Sequence, residues 1–345
     1  MKKQNIINLI RFHAEKNDDA FASEVAEIAK DFERLGDKAM SEYLMELVSS
    51  ASYYVPQNTY TNLRFLEKVE YSNKQLLLPD DIEENVLGIT RAINSRSELT
   101  KFLFYGAPGT GKTESAYQIA RVLNRNILRV DFEQLIDSRL GETAKNVVAL
   151  FDEINHLPYS KSLVLMDEVD ALVMDRVNSN DLREMGRVTS TFLKELDRLS
   201  ENVVVIATTN LISNFDKAII RRFDAVISFD KYSKEDLIEI ADGMLTNELR
   251  KDAHSKQDIR LFNKILRNQK RLPYPGELKQ IIKTAVAFSN ASNEYDYLRK
   301  IYITFNEGEE LDIQKLSEEG YTTREIEILS HIPKSTVSRK LKEID

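Results

Sequence analysis

The stretch Gly106–Thr113, GAPGTGKT, sets three glycines beside one lysine and two threonines. It fits the spacing G-x-x-x-x-G-K-[ST], a pattern that needs a strand before it and a helix after it. The apolar run KFLFY precedes it and the helical pattern TESAYQIARVLN follows from Thr113. Glycines permit backbone geometries that other residues resist, and they keep side chains out of the way. Successive amides from Gly109 to Thr113 can then converge on phosphate oxygens at the positive end of a helix. Lys112 would reach the β- and γ-phosphates of a nucleotide, and the Thr113 hydroxyl would ligate Mg²⁺. The candidate polyphosphate-binding residues are therefore Gly106, Ala107, Pro108, Gly109, Thr110, Gly111, Lys112, Thr113 and Glu114.

A second apolar run, SLVLMDE, ends in Asp167 and Glu168. An acidic residue at the carboxyl end of a buried strand can hold a metal's water shell, which makes Asp167 the second candidate metal ligand beside Thr113. The adjacent Glu168 can orient and polarise an attacking water, so the pair points to hydrolysis rather than transfer to a second substrate. A third run, NVVVIATTN, ends in Asn210, whose short amide can bridge that water and a γ-phosphate. Further on, FDKAIIRRFD places Arg221 beside Arg222. Two neighbouring guanidinium groups are costly to crowd unless an anion meets them. They are expected to reach the γ-phosphate of a neighbouring subunit, so Glu168, Asn210, Arg221 and Arg222 form the candidate catalytic set.

Such a set needs a rigid scaffold. The runs at 101–106, 126–132, 162–168, 202–210 and 225–230 are Val/Ile/Leu-rich and do not alternate, which suits strands buried on both faces. Helical segments separate them, which predicts an α/β fold with a parallel sheet over residues 81–230. Residues 231–308 read as helical throughout. At the other end, Phe21, Val25, Ile28, Ala29 and Phe32 recur at helical spacing, so residues 1–55 read as a small helical module for a protein partner or for oligomerisation. Residues 56–80, with Pro56 and LLLPDD, read as a linker.

Bulk properties narrow the classes. The 345 residues carry a formal net charge of -8, with a pI of about 5.4, so any nucleic-acid contact must rest on a local patch. The chain has no cysteine, which excludes disulfides and thiolate metal sites. Its four histidines, His13, His156, His254 and His331, are scattered without metal-ligand spacing. The basic start MKKQNIINLIRFHAEKNDD has too short and broken an apolar stretch for a signal peptide, and no run approaches the ~18–20 apolar residues of a membrane span. A cytoplasmic location, away from membranes, is expected.

Taken together, the motifs resemble those of the AAA+ ATPase family. GAPGTGKT resembles Walker A, LVLMDE Walker B, ATTN sensor 1, and AIIRRFD the arginine-finger segment of the AAA proper branch. The likeness runs from about residue 80 to 290, in order and spacing. It implies a P-loop NTPase domain with a five-stranded parallel sheet, followed by an α-helical lid at 231–308. It further implies a ring-like, usually hexameric, homo-oligomer with ATP and Mg²⁺ bound between subunits, and ATP hydrolysis that remodels a protein or a nucleic acid. SRLGETAKNVVALF resembles the segment bearing the pore loop, but Arg139 stands where protein-threading members usually carry an aromatic residue. In PYPGELKQ, Lys279 stands roughly where many relatives carry a sensor 2 arginine, which adds it to the ATP-binding candidates. The N-terminal helices with a compact ATPase faintly resemble bacterial ATPases encoded beside subtilisin-like proteases in defence modules.

The tail, 309–345, has a different character. In EEGYTTREIEILSHIPKSTVSRKLKEI, Thr322 with Glu325 forms a candidate capping box, followed by a short helix, the turn HIP and a second helix. This resembles the helix-turn-helix of many bacterial regulators and recombinases. Ser335, Thr336, Ser338, Arg339 and Lys340 would face a DNA groove, making DNA a second candidate partner. An ATP-gated DNA-binding regulator, in which hydrolysis only resets assembly, is the alternative reading of the chain.

Overall fold

The computed structural model describes residues 3–14, 18–34, 36–50, 63–70, 77–95, 97–136, 141–158, 161–173, 181–252, 254–306 and 311–344. Six strands form one sheet: β1 (Leu66–Val69), β2 (Lys101–Tyr105), β3 (Asn126–Val130), β4 (Ser162–Met166), β5 (Val205–Thr209) and β6 (Ala225–Ser228). Their order is β1-β3-β4-β5-β2-β6. The five strands expected from the apolar runs are all present and all parallel. The sixth, β1, lies inside the stretch read as a linker and pairs antiparallel with β3 along one edge.

Strand residues sort by period two onto the two faces, as a pleated sheet requires. Leu103, Leu128, Val164, Met166, Val205 and Ala207 pack beneath the helices Glu142–Asn155 and Asp181–Arg198. Their alternates Phe102, Phe104, Ile127, Leu163, Leu165 and Ile206 pack against Asp80–Asn94 and Lys112–Val122. Two helix-covered faces explain why these runs are continuously apolar. The edge strand β1 is held from across the domain: the Glu153 carboxylate accepts from the amides of Arg64 at 2.9 Å and Phe65 at 3.2 Å.

After β6 the chain becomes helical. Ser233 and Asp236 form a capping box that starts the helix Lys234–Leu249, and Pro275 occupies the first turn of Pro275–Ala287, where its missing N–H costs nothing. With Ile259–Asn268 and Asp296–Phe305 these make the helical segment over the sheet. The tail helices Ile313–Glu318, Thr323–Ser330 and Lys334–Ile344 join the same core rather than forming their own: Ile313, Leu316, Ile326, Leu329 and Val337 are buried with Leu261, Phe262 and Tyr297. The capping box at Thr322 and Glu325 is present, and Lys264 donates to Glu325 Oε2 at 2.6 Å and to the Gly320 carbonyl at 2.7 Å. At the other end, Lys3–Ala14, Asp18–Arg34 and Lys38–Ser50 share a small core around Ala22 and Val25. Among the described residues, no helix is long and apolar enough to cross a membrane.

Candidate active site

The carboxyl ends of β2, β4 and β5 bring the candidate residues together. Between Tyr105 and the helix starting at Lys112, the chain turns through Gly109 (φ +78°) and Gly111 (φ +93°), left-handed conformations that a side chain resists. Gly109 is also in direct contact with the helical segment. The Gly276 amide donates to its carbonyl at 2.8 Å, and a Cβ on Gly276 would stand 2.8 Å from the Gly109 Cα. Inside the loop, the buried Thr110 donates its hydroxyl to the Ala107 carbonyl at 2.9 Å.

Lys112 is buried, and its ammonium donates to the Gly106 and Ala107 carbonyls at 2.7 and 2.9 Å and to Asn210 Oδ1 at 2.8 Å. Burial pulls its pKa below the ordinary lysine value, while the carboxylates of Asp230, Asp167 and Glu168 pull it back up. On the next strand, Asp167 Oδ1 accepts from the Thr113 hydroxyl at 2.8 Å and from the Thr208 hydroxyl at 2.6 Å. Thr208 Oγ1 in turn accepts from the Glu168 amide at 2.9 Å. Glu168 holds a left-handed φ of +56°, which is uncommon and costly for a residue with a Cβ. That conformation swings its side chain off the line of β4, and Asn210 Nδ2 donates to Glu168 Oε1 at 3.3 Å.

One cavity of about 600 Å³ opens over this cluster. Pro108, Gly109, Gly111, Lys112, Thr113, Glu114, Asp167, Glu168 and Asn210 line it on the sheet side. The helical segment supplies Ile240, Gly243, Met244, Pro275, Gly276 and Lys279, and Leu77 closes one end. The candidate Lys279 thus borders the same cavity, exposed on the helix Pro275–Ala287. Leu77 presses so closely that a Cβ on Gly243 would overlap its side chain.

The arginine pair is split. Arg222 donates through Nε to the Asp197 carboxylate at 3.2 Å and through Nη1 to the Ala218 carbonyl at 2.8 Å. Arg221 is exposed, with no partner among the described residues. Neither lines the cavity of its own chain. In the tail, Ser335, Arg339 and Lys340 are exposed, Thr336 and Ser338 half-buried, and none of the five borders the cavity. Arg139 lies outside the described residues. Sequence reasoning missed Thr208, Asp230, Tyr232 and Leu77. Only Thr208 carried a signal, being two positions before Asn210 and so on the same strand face.

Residues 102–231 match the family described as "ATPase family associated with various cellular activities (AAA)". An uncharacterised AAA family ATPase of Sinorhizobium fredii is 33% identical over 177 residues, covering 48% of this chain and 53% of that protein. A proteasome-activating nucleotidase of Methanoculleus marisnigri is 35% identical over 195 residues, covering 54% and 44%. The chain thus spans about half the length of the curated relatives it matches. Among solved structures, Trip13 or a partner in the E. coli MS115-1 HORMA:CdnC:Trip13 complex aligns with a TM-score of 0.55 at 18% identity, over 69% of this chain and 94% of that one. The FIGL-1 AAA domain aligns with a TM-score of 0.52 at 16% identity, over 77% and 94%. Residues 102–231, which carry β2 to β6 and the sheet wall of the cavity, therefore match an AAA ATPase family domain, and the solved structures share its fold.

Proposed function

We propose that the chain binds and hydrolyses ATP with Mg²⁺ at the subunit interfaces of a homo-oligomer, and uses the cycle to remodel a macromolecular partner. One observation carries the reading: the Thr113 hydroxyl and the Asp167 carboxylate meet at 2.8 Å beneath a lysine already bonded to the residue that holds Glu168. The loop amides and Lys112 bind the phosphates. The apolar wall of Leu77, Ile240 and Met244 suits the base.

The donor set fits magnesium. Thr113 and Asp167 are both hard oxygen donors, and among the described residues no group of three or more His, Cys, Asp or Glu forms a dedicated cage. Mg²⁺ takes few protein ligands and completes its shell with phosphates and water. Held by Thr113 and Asp167, it would supply positive charge to offset that of the phosphates. Glu168 is then the base that orients water, and Asn210 sets its carboxylate relative to Lys112. Arg221, which is exposed and does not line its own chain's cavity, completes the site of a neighbour, with Arg222 beside it. The N-terminal helices select a protein partner, and a protein remodeller working with a neighbouring protease or nuclease is one form this takes.

The test is Glu168→Gln. ATP affinity should stay within about threefold, while turnover falls by ~10²–10⁴. Near-normal turnover would remove Glu168 from the mechanism. The exposed Ser335, Arg339 and Lys340 favour a second reading, an ATP-gated DNA-binding regulator. Duplex binding that weakens steeply with salt and persists in Glu168→Gln would support it.

A further inference from the structure

We propose that Tyr232 is a positioning residue that ties the lid's hinge to the phosphate-binding loop, an inference that rests on the nucleotide reading above. The hinge segment leaves the sheet at Phe229, whose amide donates to the Tyr105 carbonyl at 2.8 Å. It then runs alongside the loop and is bonded to it twice. Asp230 Oδ1 accepts from the Ala107 amide at 2.7 Å, and the Tyr232 hydroxyl donates to the Thr110 carbonyl at 2.6 Å. The Tyr232 ring stands edge-on to Tyr274 at 6.0 Å between centroids. Tyr274 caps the helix Pro275–Ala287, and the Gly276 amide of that helix returns to the Gly109 carbonyl at 2.8 Å. Hinge, loop and lid therefore close a circuit of direct contacts.

The circuit matters because of what the loop must do. Its amides have to point at phosphate, so its carbonyls point outward and need donors of their own. Thr110 is fully buried, and the donor its carbonyl receives is the phenol of Tyr232. Burial raises the Tyr232 pKa above the ordinary tyrosine value, so the hydroxyl stays protonated and donating across physiological pH. Tyr232 does not border the cavity. It acts through Thr110, two residues before Lys112, and a change in lid angle pulls on that peptide.

Tyr232→Phe removes the hydroxyl and keeps the ring against Tyr274. With Mg²⁺ and a fluorescent ATP analogue, affinity should fall roughly three- to tenfold, and KM should rise with it. The turnover number should stay within about twofold, because no reacting atom loses a contact. The melting midpoint without nucleotide should move by less than about 4 °C, while the rise induced by saturating nucleotide shrinks. Wild-type affinity in the variant, or a lowered midpoint with KM unchanged, would reduce Tyr232 to a packing residue. If wild-type protein binds no nucleotide at all, the nucleotide reading falls and takes this inference with it. Should the variant not fold, hydrogen exchange on the wild type decides. Adding Mg²⁺ and ATPγS should slow exchange at 229–233 together with 107–111, and protection of the loop alone would overturn the proposal.

Discussion

The two walls of the cavity are built on different principles. On the sheet side, Lys112, Thr113, Asp167, Glu168, Asn210 and Thr208 are cross-bonded into one polar cluster at the ends of buried strands. On the lid side the wall is Ile240, Gly243, Met244, Pro275 and Gly276, with Asn247, Glu248 and Lys279 as its polar members. A polar cluster of this kind holds its geometry because each member fixes another, and loses most when one is removed. An apolar wall on helices joined through a hinge can shift as a body. The contrast assigns chemistry to the rigid wall and grip to the movable one.

Five substitutions sharpen or break that contrast, beginning with the largest expected effect. Arg221→Ala should cut turnover by ~10³–10⁵ at unchanged affinity for the protein's own nucleotide, and activity should return on mixing with Glu168→Gln protein. The paired Arg222→Ala should give a smaller catalytic loss, since its guanidinium is engaged by Asp197. If the two variants behave alike, the split between them carries no meaning. Next, Lys112→Ala should weaken nucleotide binding on the order of 100-fold by titration calorimetry, and unchanged affinity would remove the loop from the phosphate site. On the lid wall, Gly276→Ala should weaken binding about tenfold with turnover at saturation largely kept, because its Cβ pushes on Gly109. An equal fall in turnover would show that the lid also takes part in chemistry. The smallest effect belongs to Lys279→Ala, less than about threefold in KM, as suits an exposed charge in water. A loss of tenfold or more would place a working charge on the lid and dissolve the contrast.

The sheet wall was legible in the sequence and the lid wall largely was not. Lys112 and Thr113 sit in one contiguous motif, and Asp167, Glu168 and Asn210 each end an apolar run, so chain position alone locates them. Asp230 reaches Ala107 across 123 residues and Tyr232 reaches Thr110 across 122, with no local pattern to announce either contact. Strand β1 escaped notice for a similar reason. LEKV is short, only Leu66 of it is buried, and its anchor, Glu153, lies 88 residues away from Phe65. The tail's capping box and turn were readable locally, but not that Ile326, Leu329 and Val337 complete the core of the lid. Asp197, which engages Arg222, was equally hidden.

The strand order also sets a schedule for biosynthesis. β2 carries the phosphate loop at its end, yet both of its neighbours, β5 and β6, come from more than a hundred residues downstream. A ribosome adding about 5–20 residues per second would need roughly 6 to 25 s to deliver them after β2 emerges. During that interval KFLFY, three of whose five side chains end fully enclosed, has no native partner on either edge. The nascent chain must keep this segment from foreign strands until Ser228 is made, so the demand on chaperones falls on the strand that later carries the candidate phosphate-binding loop.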